Sequence, residues 1–295
     1  MLLETTLLFK TTLILSAQLS VVLGGCFYFI RGAKKAYKTD STFFGMSFKG
    51  SMNMKRQLNL IPYFKPPLEY PMKMFKTIEE AFNPETKQMD SAYDDLQEAK
   101  DRDEVLLFLK DGYTYAHGGN WIYSIYVLWA IALFSTVFFA STGINIYVGM
   151  ALFTLQSIFF GPFLGLIMLE MDENDGYKAL KIVFLVTLLT GFVGYSDIYS
   201  FSDNNFLAAF LLLSLLALII FEFIRAIRGL SRKAIKAKAI FGAFIFSLFL
   251  LFDFNLIAKG EYMSNDWDSA FELAFTIYLD MMNLLLEILD AMGNS

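Results

Sequence analysis

The sequence predicts an all-α polytopic membrane protein, a bundle of seven helices. Three observations predict it. Of the 295 residues, 56% are hydrophobic and 17% aromatic, with a mean hydropathy of +0.49. Apolar runs of about 20 residues, the length at which a helix crosses a bilayer, recur along the chain. The charged residues, with a formal net charge of −5, fall mostly between those runs. A soluble core does not hold that much apolar surface, so the lipid bilayer is the first partner that composition implies. Nucleic acid is excluded as a partner class by the acidic balance.

Taken in order, the runs place spans near 7–30, 120–142, 145–169, 177–197, 205–224, 239–258 and 270–289. The first is long for a signal peptide, is preceded by Glu4 rather than a basic cluster, and reaches Arg31 without a small-residue cleavage pattern, so residues 1–30 read as a retained helix. The single cysteine, Cys26, lies inside it and excludes an internal disulfide or a cysteine metal cluster; packing is its expected role. Residues 31–118 form a polar arm. Five of the six prolines, Pro62, Pro66, Pro67, Pro71 and Pro84, make its first half extended and irregular. In its second half Asn83 before Pro84 and Glu85 reads as a helix cap, and the stretch from Ser91 to Lys110 is patterned as a helix that Gly112 ends. Too small and too poor in apolar residues for a second domain, the arm is expected to order against a protein partner. Residues 119–295 hold the other six helices.

Basic residues follow alternate spans. Arg31, Lys34, Lys35 and Lys38 follow the first, Lys178 and Lys181 the third, and Arg225, Arg228, Arg232, Lys233, Lys236 and Lys238 the fifth, against Lys10 and Lys259 on the other side. By the positive-inside rule the loops after spans one, three and five face the cytoplasm or mitochondrial matrix, and the N-terminus lies outside.

Two carboxylates break the apolar pattern, in Leu251-Phe252-Asp253-Phe254-Asn255-Leu256-Ile257 and Tyr278-Leu279-Asp280-Met281-Met282-Asn283-Leu284. Each costs about 2.5 to 3.5 kcal/mol near the middle of an inserted helix, so each needs a partner or a task. In the seventh span Glu272, Thr276, Asp280, Asn283, Glu287 and Asp290 recur at helical spacing and form one polar stripe, which should face the bundle interior. Asp253 lies roughly 9 Å along its helix from Lys259, and Asp280 roughly 15 Å into the next if that begins near Ser269. A short connection makes the two helices adjacent and antiparallel, and the depth difference of roughly 6 Å allows a direct or water-mediated contact. No lysine or arginine lies at a comparable depth. Two such carboxyls would share a proton and titrate as a pair, a pH-sensitive latch between two helices. The alternative is a static glue in which Asn255, Asn283 and backbone carbonyls satisfy both acids.

These two stretches resemble the Bax-inhibitor (lifeguard) membrane family, whose pattern places one aspartate near the end of the sixth helix and another in a Tyr-Leu-Asp-hydrophobic-hydrophobic-Asn-Leu stretch of the seventh. The first span, Phe9-Lys10 through Gln18-Leu19, is similar to the family's opening helix. The third, Gly149-Met150 through Phe160-Gly161-Pro162, is similar to its Gly-Pro helix, where Pro162 would kink the helix and free a carbonyl. The resemblance implies a seven-helix bundle with the C-terminal helix central, and a pH-sensitive calcium or cation leak that the paired aspartates hold shut or open. The chain departs from the family in three ways. It has no charged residue from Trp121 to Thr142, where bacterial channel members carry a glutamate and an arginine. It inserts 31–118. Its loop charges invert the usual orientation.

The remaining polar features have plain readings. His117, the sole histidine, has no partner spaced for a metal, and Glu170, Asp172, Glu173 and Asp175 read as a solvated charge run. No nucleophile and base, phosphate loop, metal or cofactor motif is present, so no enzyme, metal or cofactor is expected. Two functions stay open. One is a non-catalytic accessory subunit of a larger membrane assembly, docked through 31–118, in the mitochondrial inner membrane or the endoplasmic reticulum. The other is a cation leak for ions such as Ca2+, with Asp253, Asp280, Asn255, Asn283, Glu272 and Glu287 as its proton-sharing and ion-pathway residues and Glu272, Glu287 and Asp290 as an acidic vestibule.

Overall fold

The structure, a computed structural model, describes residues 6–39, 41–52, 58–64, 70–77, 81–83, 88–90, 93–111, 113–115, 131, 134–136, 138, 145–171, 173–196, 198–228, 230–260 and 264–293. The first helix, α1 (Leu7–Lys38), begins where the Thr6 hydroxyl accepts the Phe9 N–H and ends with Lys35 and Lys38 in its last turn, where the helix dipole favours cations. Its buried residues, among them Thr11, Ile14, Leu15, Gln18, Val22, Cys26 and Phe29, recur at helical spacing, while Phe9, Leu13, Leu23 and Phe27 are exposed on the outer face.

Between the first and later helices the chain forms sheets. Strands β1 (Met46–Met52) and β2 (Leu58–Phe64) pair antiparallel, with Gly50 opposite Leu60. Met46, Phe48 and Leu60 enter the same core as the membrane helices. Strand β3 (Met72–Thr77) lies centrally in an antiparallel sheet between β6 (Tyr93–Ala99) and β7 (Tyr113–Tyr115). Helix α2 (Arg102–Lys110) adds Val105 to a separate small core with Met72, Met74 and Ala99. Strands β4 (Ala81–Asn83) and β5 (Gln88–Asp90) pair with each other.

This corrects the helix expected from Ser91 to Lys110. Residues 93–99 are strand because Met72–Thr77 offers a pairing edge, with Lys73 opposite Glu98, and that distant partner overrides local helical patterning. The helix starts only after Asp101, whose Oδ1 accepts the N–H groups of Asp103 and Glu104 at 2.9 Å each, while Glu104 accepts the Lys100 N–H at 2.7 Å. Asn83 closes a strand, and Pro84 and Glu85 lie outside the described residues. So do His117 and most of the expected second span, 120–142, of which 131, 134–136 and 138 are described and helical.

The later spans appear as α3 (Ile146–Met171), α4 (Glu173–Tyr195), α5 (Asn205–Ile227), α6 (Arg232–Lys259) and α7 (Trp267–Gly293). Asn204 and Ser231 cap α5 and α6, and Gly260 ends α6 in the left-handed region at φ 57°. Among the described residues α1, α3, α4, α5 and α6 are long and apolar enough to cross a membrane. The expected all-α membrane architecture is found, with the small sheets as an addition.

Helix α1 packs most closely on α3. A Cβ at Gly161 would lie 2.7 Å from the Val22 carbonyl oxygen, and one at Gly165 2.9 Å from that of Cys26, so these two glycines set how near the backbones come. Cys26 is buried beside Met168, its Sγ 3.6 Å from the sulfur. Helix α3 runs unbroken through Pro162, which lies against Gly25. The central element is α7, packed by α6, α1, α4 and α3, with Phe271, Ile277, Tyr278, Leu284 and Leu285 fully buried on its several faces. Helix α5 touches chiefly α6 and presents Phe206, Leu212, Leu213 and Phe223 outward.

Candidate functional site

Helices α6 and α7 form an antiparallel hairpin, as the short connection predicts. Its turn is tied to α1: the Lys10 ammonium donates to the Asn265 carbonyl at 2.8 Å and lies 5.7 Å from the centre of the Trp267 ring. Lys259, at the same end, pairs with Asp203. Gln18 fixes the next layer by donating to Thr154 at 3.0 Å.

Within this frame the carboxyls of Asp253 and Asp280 come within hydrogen-bonding reach of each other. They are 6% and 8% exposed. The Oδ2 atom of each finds no partner among the described residues. A carboxyl-to-carboxyl hydrogen bond needs a proton on one side, since an ionised carboxylate only accepts. A proton on one of them would let the pair bridge α6 and α7. Elsewhere on α7 Tyr278 faces Ser157, and Phe153 meets the Tyr278 ring edge-on at 4.8 Å and the Phe275 ring at 5.1 Å. These aromatics pack α7 against α3 on a different face of α7 from Asp280.

The other predicted residues distribute differently. Asn255, fully buried, does not serve the aspartates: its Oδ1 accepts the Ser202 N–H at 2.9 Å and hydroxyl at 3.0 Å, and its amide donates to the carbonyls of Gly194 at 3.0 Å and Tyr199 at 3.3 Å. It clasps the end of α4 and the following turn, which corrects its placement in a proton pathway. Glu272 and Thr276 are exposed although Phe271, Leu273, Ala274 and Phe275 around them are buried, so at this end of α7 the polar stripe faces away from the bundle. Asn283 is half-buried, one turn beyond Asp280.

Glu287 and Asp290 do not form an uncompensated acidic vestibule. The Lys238 ammonium reaches Glu287 at 2.6 Å and Glu222 at 2.5 Å. Arg225 binds Asp290 through both terminal nitrogens, at 2.6 and 3.3 Å. Sequence reasoning counted Lys238 and Arg225 only as topology-setting loop charges. The available signal was the position of Lys238, immediately before the apolar run, where a lysine can bury its stem and carry its ammonium inward. In the acidic run after the third span, Asp175 is buried and pairs with Lys178 at 2.9 Å. Among the described residues no three His, Cys, Asp or Glu side chains are grouped to hold a metal ion.

Apolar helices with outward-facing phenylalanines and leucines, packed around a central helix that carries buried acids, define a polytopic α-helical membrane protein. The chain belongs to the Bax-inhibitor family: the family model described as inhibitor of apoptosis-promoting Bax1 matches residues 107–295. It is similar to an uncharacterized protein of Helicobacter pylori strain J99, 26% identical over 179 residues that cover 59% of this chain and 71% of the relative. A counterpart from strain 26695 is 25% identical over 57% of this chain and 70% of its own length. The matched region spans α3 to α7 and so includes both aspartates.

Proposed function

We propose that this protein is a non-enzymatic, proton-controlled cation leak, passing ions such as Ca2+, whose closed state is held by the Asp253–Asp280 bridge. The observation that carries the reading is the direct contact of these two buried carboxyls with no base beside them among the described residues. With one proton the pair attracts and holds α6 against α7. Without it, two like charges at contact distance repel by about 4 kcal/mol at an effective dielectric of about 20. That is enough to move a two-state helix contact by about a thousandfold. The leak therefore opens as pH rises.

The test is calcium flux into vesicles holding the purified protein, from mildly acidic to mildly alkaline pH. Wild type is expected to leak more at the alkaline end. Asp253→Asn and Asp280→Asn are expected to lose the pH response, because an amide keeps the hydrogen bond without titrating. Absence of flux from wild type, or a pH response unchanged in both variants, overturns the reading.

A second reading, an accessory subunit of a larger assembly in the mitochondrial inner membrane or endoplasmic reticulum, draws on the unit from β3 to β7. That unit has its own small core of Met72, Met74, Ala99 and Val105, and α2 leaves Leu106 and Leu107 exposed. Crosslinking from residues 102–110 in native membranes tests it. Capture of one stoichiometric partner supports it, and a lone monomer with no crosslink counts against it.

A further inference from the structure

Lys10 and Arg31 are 21 residues apart on α1, so roughly 32 Å along its axis, close to the thickness of a hydrocarbon layer. Lys10 is fixed at one boundary by the turn between α6 and α7, which sets Arg31 at the other and Lys34, Lys35 and Lys38 in the headgroup layer beyond it. Two clefts open there. One, about 580 Å³ in volume, is lined by Phe27, Arg31, Lys34, Lys35 and Lys38 of α1 and by Tyr177 of α4. The other, about 390 Å³, is lined by Tyr28 of α1 and by Ser41, Thr42 and Phe43 of the segment after it, and Arg31 and Lys35 line both. We propose that these clefts hold an anionic phospholipid, its phosphate on Arg31 and Lys35 and its acyl chains running along Phe27 and Tyr28.

The charges at this site lack counterions. No residue lining either cleft is acidic, and Arg31, Lys35 and Lys38 make no ion pair among the described residues. At the same end of the bundle Lys178, Arg225 and Lys238 each have a carboxylate partner. Arg31 with Lys35, and Lys34 with Lys38, are like charges four residues apart, which weakens a bare helix and which an anion between them reverses. The helix dipole favours the bases of the last turn, Lys35 and Lys38, but it fades beyond that turn and leaves Arg31 and Lys34 without that support.

The walls are built rather than incidental. After the helix ends, the Ser41 N–H donates to the Ala36 carbonyl at 2.9 Å, and the Phe43 ring occupies the space that a Cβ on Gly32 would need, so residues 41–43 fold back along α1. Phe43 meets the Tyr28 and Phe29 rings at 5.7 and 5.6 Å, which fixes that wall. Phe27 and Tyr28, one turn nearer the membrane centre than Arg31, are 59% and 63% exposed. An apolar surface directly below a cluster of bases matches a lipid, with chains below and phosphate above, and gives a free phosphate nothing to contact. The site stands apart from the aspartate pair and does not rest on the leak reading.

The experiment measures displacement of a fluorescent phosphatidylglycerol from the purified full chain in neutral detergent. Unlabelled phosphatidylglycerol is expected to displace it at least about tenfold better than phosphatidylcholine, and glycerol phosphate is expected not to displace it. Arg31→Gln with Lys35→Gln is expected to weaken binding at least about tenfold, since each base near a membrane surface contributes about fivefold. Both residues are exposed, so the fold is expected to survive, with an unchanged circular-dichroism spectrum as the check. Arg31→Lys with Lys35→Arg is expected to keep the affinity. Arg228→Gln with Lys233→Gln removes the same charge from exposed positions outside the clefts and is expected to change binding less than about twofold. Equal losses in the two glutamine pairs would mean a diffuse attraction to basic loops and would overturn the site. So would equal displacement by phosphatidylcholine, and displacement by glycerol phosphate at lipid concentrations would make this a phosphate site rather than a lipid site.

Discussion

Asn255→Ala removes a clasp rather than a step in a pathway, and its cost can be worked from the contacts. The side chain accepts from the Ser202 N–H and hydroxyl and donates to the carbonyls of Gly194 and Tyr199, joining α6 to the end of α4 and the turn after it. At about 0.6 kcal/mol for a side-chain hydrogen bond within a membrane bundle, these contacts together contribute roughly 2 kcal/mol. The Gly194 carbonyl has the fewest alternatives, because a Cβ on Gly194 would already lie 2.5 Å from the Leu251 oxygen and no water fits between such close backbones. Leaving it unpaired adds about 1 kcal/mol. The expected loss is therefore about 2 to 3 kcal/mol, a thirtyfold to hundredfold fall in the ratio of folded to unfolded protein, roughly. Denaturant-detergent titration of the purified protein reads it. Asn255→Asp should lie between wild type and alanine, since it keeps the acceptor and loses both donations. A loss under about 0.5 kcal/mol for alanine, or the same loss for alanine and aspartate, would refute the reasoning.

Three further outcomes are expected. Gly161→Leu should abolish the folded monomer on gel filtration, because even a Cβ there meets the Val22 carbonyl at 2.7 Å and backbone cannot give way. Met74→Ala should destabilise the β3–β6–β7 unit by about 2 to 5 kcal/mol, read as faster hydrogen exchange across Met72–Thr77 and Tyr93–Ala99 with α3 to α7 unchanged; Met74 is fully buried in that unit's own core. The Asp266 carboxyl is held below its ordinary 3.8 by the Ser269 backbone N–H first, then by Ser264 and the Lys10 ammonium. A depressed folded value gives stability that is present above the ordinary value and fades as pH falls through the lowered one. Asp266→Ala should accordingly be less stable than wild type near neutrality and indistinguishable from it in strong acid, by thermal midpoint against pH.

Much of the membrane fold can be read from the chain because its cause is local. Apolar runs of spanning length mark α3 to α7, with α6 beginning seven residues before its run, and two acids inside such runs, on helices made adjacent by a short turn, lie at depths that permit Asp253 and Asp280 to meet. What sequence missed depends on distant partners. Nothing near Asn255 announces that Gly194, Tyr199 and Ser202, more than fifty residues earlier, will take its hydrogen bonds. Residues 93–99 carry helical patterning, and only the strand at Met72–Thr77 makes them β. Lys238 is the instructive miss: a base at the edge of an apolar run serves topology when read along the chain, but its four-carbon stem reaches inward and turns a supposed acidic vestibule into an ion-pair cluster.

The same helix carries both locks. Asp253 and Lys238 lie on α6, fifteen residues apart, so roughly 22 Å along its axis, and each holds α7 by a polar contact, with Asp280 and Glu287. The faces of α7 are covered by four helices, whereas α6 has α4 and the loosely attached α5 on its outer side. Moving α7 would break contacts with α1 and α3 that neither lock involves; moving α6 breaks both locks and little else on the α1 side. On the leak reading, then, deprotonating the aspartate bridge and freeing Lys238 act on one displacement of α6, and their effects should not add. In a double-mutant cycle Lys238→Gln should raise flux strongly where the bridge is protonated and little where alkaline pH has already opened it. Equal increments at both pH extremes would mean that the two contacts release separate motions, and that α6 does not move as one body.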